Sequence, residues 1–313
     1  MLNFIIKRLL TSILVIIGVT IVIFSLVHMA PGDPIQIMAG LDAKEEDIEA
    51  LRVKMGMDKP YIVQYFNYVK GLLHLDLGKS IITNKNISDE IFFRFRNTAE
   101  LAVAGMLISS VFGIFIGIVA AVNRDRWLDK TLMSLSITGI SMPSFLLALL
   151  LMLLLVSQWH LLPASGREGS PFTAEGFKYI ILPALTLGIS GTASIARLTR
   201  SSVVAVLNEE FVMTLKAKGL RRKMILFKHI LRNASLPILT MIGLDFGYLL
   251  GGAVVTETIF AWPGIGKYAM DAISQNDFPA VQGAVLILSM MFMLINLVVD
   301  LLYGVLDPRV SLE

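Results

Sequence analysis

The side chains that usually perform catalysis or bind metals are few and scattered in this sequence. It contains no cysteine, which excludes disulfides, thiolate metal sites and cysteine nucleophiles. No pair at metal-ligand spacing occurs among its four histidines, which are His28, His74, His160 and His229. Residues 264–267 read GIGK, but a phosphate-binding loop needs glycine where Ala261 stands and Ser or Thr where Tyr268 stands. We therefore expect neither a metal nor a cofactor in this chain.

One ionisable residue, Asp245, interrupts an apolar stretch of roughly residues 235–258. Ionisable groups at membrane depth are costly and usually face a cavity or a partner. At about 100° per residue, Asp245 lies on the opposite side of a helix from Gly243 and Gly247. Two interpretations follow: Asp245 lines a passage and favours cationic groups, such as a peptide ammonium or a metal complex, or it makes a structural hydrogen bond to another helix.

The most basic segment, residues 214–237, reads TLKAKGLRRKMILFKHILRNASLP and contains seven Lys or Arg but no Asp or Glu. One interpretation is that these charges hold a loop on the cytoplasmic side and attract anionic lipid. The order of residues predicts more: a short helix, a turn at Gly219, and a second helix leading to Pro237 near the start of a membrane helix. Such a platform suits the docking of another protein.

The composition indicates a polytopic membrane protein, because 55% of the residues are hydrophobic, only 16% are charged and the mean hydropathy is +0.73. A helix needs about 20 apolar residues to cross the hydrocarbon layer. Six windows meet this need and predict six transmembrane helices: residues 9–32, 101–123, 131–166 (with the start of a loop), 179–196, about 235–258 and 278–299. The first is too long for a signal peptide and lacks a cleavage site, so we expect it to stay uncleaved.

The distribution of Lys and Arg predicts that both termini are cytoplasmic. With the N-terminus inside, the inner segments hold 15 of the 27 basic residues, and the short outer loops hold only Arg167, Lys178 and Lys267. The inner charges include Lys7, Arg8 and, in the tail, Arg309. The long outer segment after the first helix has amphipathic spacing, which predicts short helices on the membrane exterior.

The basic segment resembles the EAA-type loop of ATP-binding-cassette (ABC) importer permeases, in the version found in the dipeptide, oligopeptide and nickel transport family. The acidic residue that names this loop is absent, and the spacing from Gly219 to Pro237 matches the peptide branch better than the sugar or metal-ion branches. Other family motifs follow in the same order along the chain: APGDP (30–34), LDLGKSI (75–81), RNTAELA (96–102), ETIFAWPGIG (257–266) and LDPR (306–309).

The resemblance implies an all-α membrane protein with six transmembrane helices of the type I ABC importer permease fold and an extracytoplasmic segment between helices 1 and 2. It implies four regions: an N-terminal transmembrane helix at 1–30, an extracytoplasmic segment at 31–96, a permease domain at 97–304 whose coupling loop is about 197–234, and a cytoplasmic tail at 305–313. The coupling helix would centre on Thr214, Ala217, Lys218, Gly219 and Leu220.

The resemblance also implies a transport subunit without catalytic residues in a bacterial or archaeal cell membrane. Its partners would be the lipid bilayer, a second homologous permease, two ATPase subunits that bind ATP and Mg, and an extracytoplasmic binding protein; no nucleic acid is expected. The substrate would be di- or oligopeptides or a related compound such as a nickel chelate. The alternatives are an ion-coupled secondary transporter, which often has more buried ionisable residues and inverted repeats, and a membrane-embedded enzyme.

Overall fold

The computed structural model describes residues 2–29, 34–39, 44–54 and 56–306, and the regular structure in that part of the chain is helical. Most of the APGDP and LDPR motifs, and Arg309, lie outside the described residues. The helices are α1 (Leu2–Met29), α2 (Pro34–Ala39), α3 (Glu45–Lys54), α4 (Tyr61–Leu73), α5 (Ile87–Val122), α6 (Trp127–Ser141), α7 (Ser144–Leu151), α8 (Ala174–Leu207), α9 (Glu210–Ala217), α10 (Arg222–Met224), α11 (Leu231–Ile259), α12 (Ile265–Ser274) and α13 (Phe278–Leu306). Two π-helical stretches, Met152–Gln158 and Ile225–Ile230, continue α7 and join α10 to α11.

The described helices supply five candidate membrane spans, or six if one bent helix pair is counted as a span. The five are long and apolar enough by themselves and lie in α1, α5, α8, α11 (with the preceding residues from Arg222) and α13. The bent pair is α6 followed by α7. Each of the six predicted windows therefore falls on one of these elements, which confirms an all-helical membrane fold.

The third predicted span is not one straight helix. The structure divides it into α6 and α7, with an angle of 105° between the two. Pro143 causes the break, because its ring disfavours helical backbone at the preceding residue, and Met142 accordingly has ψ 124°. Pro143 is thus the residue immediately before α7, which begins at Ser144.

Two of the spans extend well beyond the windows that the sequence predicted. Helices α5 and α8 have 36 and 34 residues, or about 54 and 51 Å, compared with about 30 Å of hydrocarbon. A window without charge ends at the nearest charged residue, which is Glu100 before the window in α5 and Arg197 after the window in α8, whereas the helix itself continues past that residue. For the same reason Pro237 was placed wrongly near a helix start; it lies inside α11.

The chain divides into two compact units. The first consists of Met1–Ile5, Ala99–Trp262 and Phe292–Glu313, and the second of Ile6–Thr98 and Pro263–Met291. In the first unit, α5 and α8 pack almost backbone to backbone. A Cβ on Gly117 would lie 2.5 Å from the Cβ of Thr199, and one on Gly188 would lie 2.6 Å from Ile108. Small residues permit this close approach of helices in a membrane.

In the second unit, α4 packs along the C-terminal half of α1. The Tyr65 hydroxyl lies 3.0 Å from the Thr20 hydroxyl, and His28 Nε2 lies 3.0 Å from Gln64 Oε1. The LDLGKSI segment is fastened to the turn before α13, since the Asp277 carboxylate accepts hydrogen bonds from the Ser80 hydroxyl and from the Ile81 amide. These contacts hold α4 and the LDLGKSI segment on their own unit.

Candidate coupling platform and transmembrane aspartate

The basic segment folds into the predicted sequence of helix, glycine turn and helix. Helix α9 ends at Ala217, and Gly219 follows with φ +73°, a left-handed conformation that non-glycine residues rarely adopt. The amide of Gly219 donates to the Lys216 carbonyl at 3.0 Å, and the amide of Leu220 donates to the Leu215 carbonyl at 3.3 Å. These bonds satisfy carbonyls that the end of the helix would otherwise leave free.

One face of α9 is fixed in a buried apolar cluster. Val212 is fully buried there, and Phe211, Leu215 and Leu220 pack against the cluster. The other buried members come from the ends of several helices: Ala121, Val203, Val206, Ile225, Ile230, Ala234 and Ile238. Because α5, α8 and α11 all contribute to this cluster, a displacement of α9 must be shared by these three helices.

The opposite face of α9 is exposed. Two of the five predicted coupling residues, Thr214 and Ala217, lie there, and two more, Lys218 and Gly219, are exposed in the turn that follows α9. The fifth, Leu220, is half-buried against the cluster. The sequence analysis missed Met213, whose side chain is 68% exposed beside Thr214. An exposed Met on a short helix supplies an adaptable apolar contact for a partner.

Asp245 lies on the face of α11 opposite Gly243 and Gly247, as helical spacing predicted. Gly243 packs on Val299 and Gly247 on Phe292, both from α13. Gly251, the third glycine in this row, has open space where a Cβ would be. The glycine row therefore holds α11 against α13 at two of its three positions.

The Asp245 carboxylate points towards α8 and α5. A Cβ added to Gly191 would lie 3.9 Å from Asp245 Oδ2 and 2.7 Å from the Ser109 hydroxyl oxygen. That hydroxyl bonds to the backbone carbonyls of Gly105 and Gly188. Oδ2 of Asp245 is buried and has no hydrogen-bond partner among the described residues. The oxygen therefore lies in a gap beside the small residues Gly191 and Ser109. It does not make the hydrogen bond to another helix that a structural role for Asp245 would require at this atom.

A second feature that sequence reasoning missed is an ion pair near the platform. Arg200 on α8 donates from Nε and Nη2 to the two carboxylate oxygens of Asp129 on α6, each at 2.6 Å. The Asp129 side chain is only 3% exposed. The pairing could not be read from the sequence, because these residues lie 71 positions apart on helices whose packing is set by tertiary contacts.

The ETIFAWPGIG segment is held by buried side chains in both units. In the first unit, Phe260 and Trp262 are buried, and the Phe260 carbonyl accepts a hydrogen bond from the Gly166 amide at 2.8 Å. In the second unit, Asn97 donates to the Pro263 carbonyl at 2.8 Å. The motifs RNTAELA and ETIFAWPGIG lie far apart in the sequence, and only the structure shows that they are in contact.

The GIGK segment does not form a free phosphate cradle. Helix α12 begins at Ile265, whose amide donates to the Thr98 hydroxyl oxygen at 2.9 Å. The amide of Tyr268 donates to the Gly264 carbonyl at 3.2 Å. Among the described residues there is also no group of three or more His, Cys, Asp or Glu placed to hold a metal ion.

Comparisons with known proteins agree on one family over the whole length of the chain. Residues 113–312 match the family described as binding-protein-dependent transport system inner membrane component, and residues 1–102 match the N-terminal region of such components. The dipeptide transport system permease protein DppB of Escherichia coli (strain K12) is 42% identical, with 99% of each chain covered. The glutathione transport system permease protein GsiC of Salmonella choleraesuis (strain SC-B67) is also 42% identical, again with 99% of each covered.

Solved structures of ABC transporters share the fold at lower sequence identity. An inward-facing structure of the MetNI methionine ABC transporter is 14% identical, with a TM-score of 0.57, 69% of this chain covered and 96% of that chain covered. An amino acid ABC transporter solved with histidines is 15% identical, with a TM-score of 0.52 and coverage of 71% and 94%. From the two family matches and the full-length relatives, the chain belongs to the inner membrane components of binding-protein-dependent transport systems, as a non-catalytic permease of an ABC importer.

Proposed function

We propose that this chain is one of two permeases that together form a translocation path for di- or oligopeptides or a related compound. Relatives named as dipeptide and glutathione permeases cover its full length at 42% identity, which supports a small peptide as substrate. A nickel chelate remains within the same proposal, because the resemblance of the motifs extends to nickel permeases. An extracytoplasmic binding protein delivers the substrate, and two ATPase subunits bind ATP and Mg and drive transport.

The observation that carries the proposal is the two-faced structure of α9. Val212 anchors one face in the bundle, while Thr214 and Ala217 form an exposed face that continues into the turn at Lys218 and Gly219. We infer that this exposed surface binds in a groove of an ATPase subunit. Leu220 supports the surface by packing against the buried cluster. Closure of the ATPases on ATP displaces α9, and the shared cluster passes the displacement to the spans as a rigid-body movement.

The proposal places α9 and both termini in the cytoplasm, in a bacterial or archaeal cell membrane. It keeps the four regions at 1–30, 31–96, 97–304 and 305–313. Asp245 is assigned to the translocation path, where an unpaired carboxylate oxygen attracts cationic groups of the substrate. That Oδ2 has no hydrogen-bond partner in the described part of the chain supports this role over a structural one.

The experiment compares two substitutions that add the same charge near α9. The change Ala217→Glu places a carboxylate on the exposed face, whereas Asn208→Glu places one on an exposed residue just before the helix. The permease is co-expressed with its partner subunits and purified through a tag on this chain. We expect Ala217→Glu to reduce the co-purifying ATPase and the uptake of peptide at least several-fold, and Asn208→Glu to change both much less.

Two results would contradict the proposal. The first is full retention of the ATPase by Ala217→Glu together with wild-type uptake, which would remove α9 from the docking surface. The second is purification of the wild-type permease with no ATPase at all under conditions that keep its second permease bound. Immunoblotting of both variants in membranes controls for the amount of protein.

A further inference from the structure

The ion pair between Asp129 and Arg200 joins α6 to the helix that leads into the coupling platform. Arg200 lies about two turns before the end of α8 at Leu207, and α9 begins three residues later, at Glu210. Besides its two bonds from Arg200, the Asp129 carboxylate accepts a hydrogen bond from the Asp125 amide at 2.9 Å. The first turn of α6 is thus attached to α8 by a bidentate, charge-assisted contact, which is the strong form of such a pair.

Further along, α6 borders a cavity. A Cβ on Gly139 of α6 would come no nearer than 3.8 Å to Ile189, whereas one on Gly113 of α5 would lie 2.7 Å from Ile195. The cavity has a volume of about 320 Å³. Residues of α5, α6 and α8 line it, and most of them are apolar. Those on α6 include Leu132, Leu135 and Gly139, and those on α8 include Leu185, Ile189 and Ala193.

The far end of α6 ends at a sharp bend. At Met142 the chain leaves helical geometry, and α7 departs at 105° after Pro143. Helix α6 therefore packs along α8, is attached to it by the ion pair at one end, borders a cavity in its middle and ends at a break. Because its chain breaks at the far end, α6 can move together with α8, the helix that holds its first turn.

We propose that the Asp129–Arg200 ion pair is the link through which α8 moves α6 when the coupling platform is displaced. This inference rests on the proposed coupling role of α9 and adds the route from that helix into a span that borders an open cavity. Asp129 and Arg200 are positioning residues here, since neither belongs to the exposed face of α9. When the pair is broken, ATP hydrolysis continues but drives less movement of α6.

The test measures how many substrate molecules are taken up for each ATP hydrolysed by the complete transporter in liposomes. We expect Asp129→Asn and Arg200→Met to lower this ratio about tenfold, a typical size for coupling between sites. Arg200→Lys keeps the charge but loses the bidentate geometry, so its loss is smaller. The exchange Asp129→Arg with Arg200→Asp restores part of the ratio. Lys130→Met removes one positive charge from an exposed position on α6, outside the coupling loop, and leaves the ratio unchanged.

A distance measurement tests the same link without disturbing it. The chain has no cysteine, so spin labels can be placed at Thr131→Cys on α6 and Ser201→Cys on α8, both exposed. We expect the distance between these labels to stay the same in the nucleotide-free and ATP-trapped transporter. In Arg200→Met the distance should change on ATP binding.

The inference is overturned if the wild-type label distance changes on ATP binding, or if both single variants keep the wild-type transport ratio. Those outcomes would leave the coupling role of α9 intact, because the ATPase would still be bound and active. Failure of the proposed function has a different signature, in which no ATPase binds the wild-type chain. If a variant does not assemble, the wild-type distance measurement decides the question.

Discussion

Two tyrosines on α4 have opposite hydrogen-bonding situations although they lie three positions apart. Both rings are near Phe24, at centroid distances of 5.4 Å for Tyr65 and 5.9 Å for Tyr68. The Tyr65 hydroxyl pairs with Thr20, whereas the Tyr68 hydroxyl oxygen is buried with no partner in the described part of the chain. A buried polar group without a partner costs about 1–3 kcal/mol, while a satisfied one contributes about 1 kcal/mol.

The same substitution should therefore change stability in opposite directions at these two positions. We expect Tyr68→Phe to be neutral or to stabilise the fold by up to about 1 kcal/mol, and Tyr65→Phe to destabilise it by about 1 kcal/mol. The measurement is the midpoint of thermal aggregation of the detergent-solubilised protein. A clear loss of stability in Tyr68→Phe would indicate a hydrogen bond from its hydroxyl to another group of the assembly.

The burial of Tyr68 also leads to a prediction about how stability changes at alkaline pH. Burial raises the pKa of this phenol from 10.0 to about 12. A folded-state pKa above the unfolded value means that the contribution to stability is complete below about pH 10 and is lost as the pH rises towards 12. Tyr68→Phe should remove this part of the alkaline loss, which thermal midpoints measured from about pH 9 to about pH 12 in about half-unit steps would detect. An unchanged alkaline slope would contradict the assignment.

Asp245 leads to a prediction about substrate charge. Replacing it by Asn preserves the size of the side chain and removes a negative charge from an apolar region, where charge interactions are stronger than in water. We expect Asp245→Asn to reduce uptake of substrates with a free ammonium group about tenfold, equivalent to ~1.4 kcal/mol. Uptake of an N-acetylated analogue serves as the control and should change less. Unchanged uptake of every substrate at normal expression would exclude the role in the path.

At the scale of single elements, the sequence predicts what depends on local chemistry. The spans follow from runs without charge, and the turn at Gly219 follows from its place between two helical patterns. The 105° angle between α6 and α7 does not follow, because Pro143 shows only where the helix breaks and not the direction in which it continues. The neighbours of Asp245 were equally hidden, since they come from α5 and α8.

The packing of α5 on α8 gives a prediction about glycine. A Cβ on Gly117 would lie 2.6 Å from the Ala196 carbonyl oxygen, a backbone atom that cannot rotate away. A Cβ on Gly251 of α11 would meet nothing within 4 Å. We expect Gly117→Ala to destabilise the protein by roughly 1–3 kcal/mol, as overpacking does, although alanine favours helix more than glycine does.

The change Gly251→Ala is the matched control, because it has the same effect on helix propensity without the clash. It should be neutral or slightly stabilising when the two variants are compared by thermal aggregation. If Gly117→Ala were as stable as Gly251→Ala, the two helices would have to separate easily, and the close packing of α5 on α8 would not hold under those conditions.

At the scale of the whole molecule, the coupling proposal depends on which side of the membrane α9 occupies. Helix α8 connects two regions about 51 Å apart along its axis, with Lys178 near its first residue and α9 directly after its last. This length exceeds the hydrocarbon thickness of about 30 Å, so the two ends can lie in water on opposite sides. The excess of basic residues after α8 predicts that its second end is cytoplasmic.

Single cysteines test this orientation directly, since the natural chain has none. Lys178 and Lys216 are both exposed, and each can be replaced by Cys for labelling with a membrane-impermeant maleimide. In intact cells we expect Lys178→Cys to be labelled and Lys216→Cys to remain unlabelled until the membrane is opened. In inside-out vesicles the pattern should reverse, because the basic segment then faces the reagent. Labelling of Lys216→Cys in intact cells would place α9 outside, where no ATP-driven subunit could reach it, and the coupling mechanism would have to be abandoned.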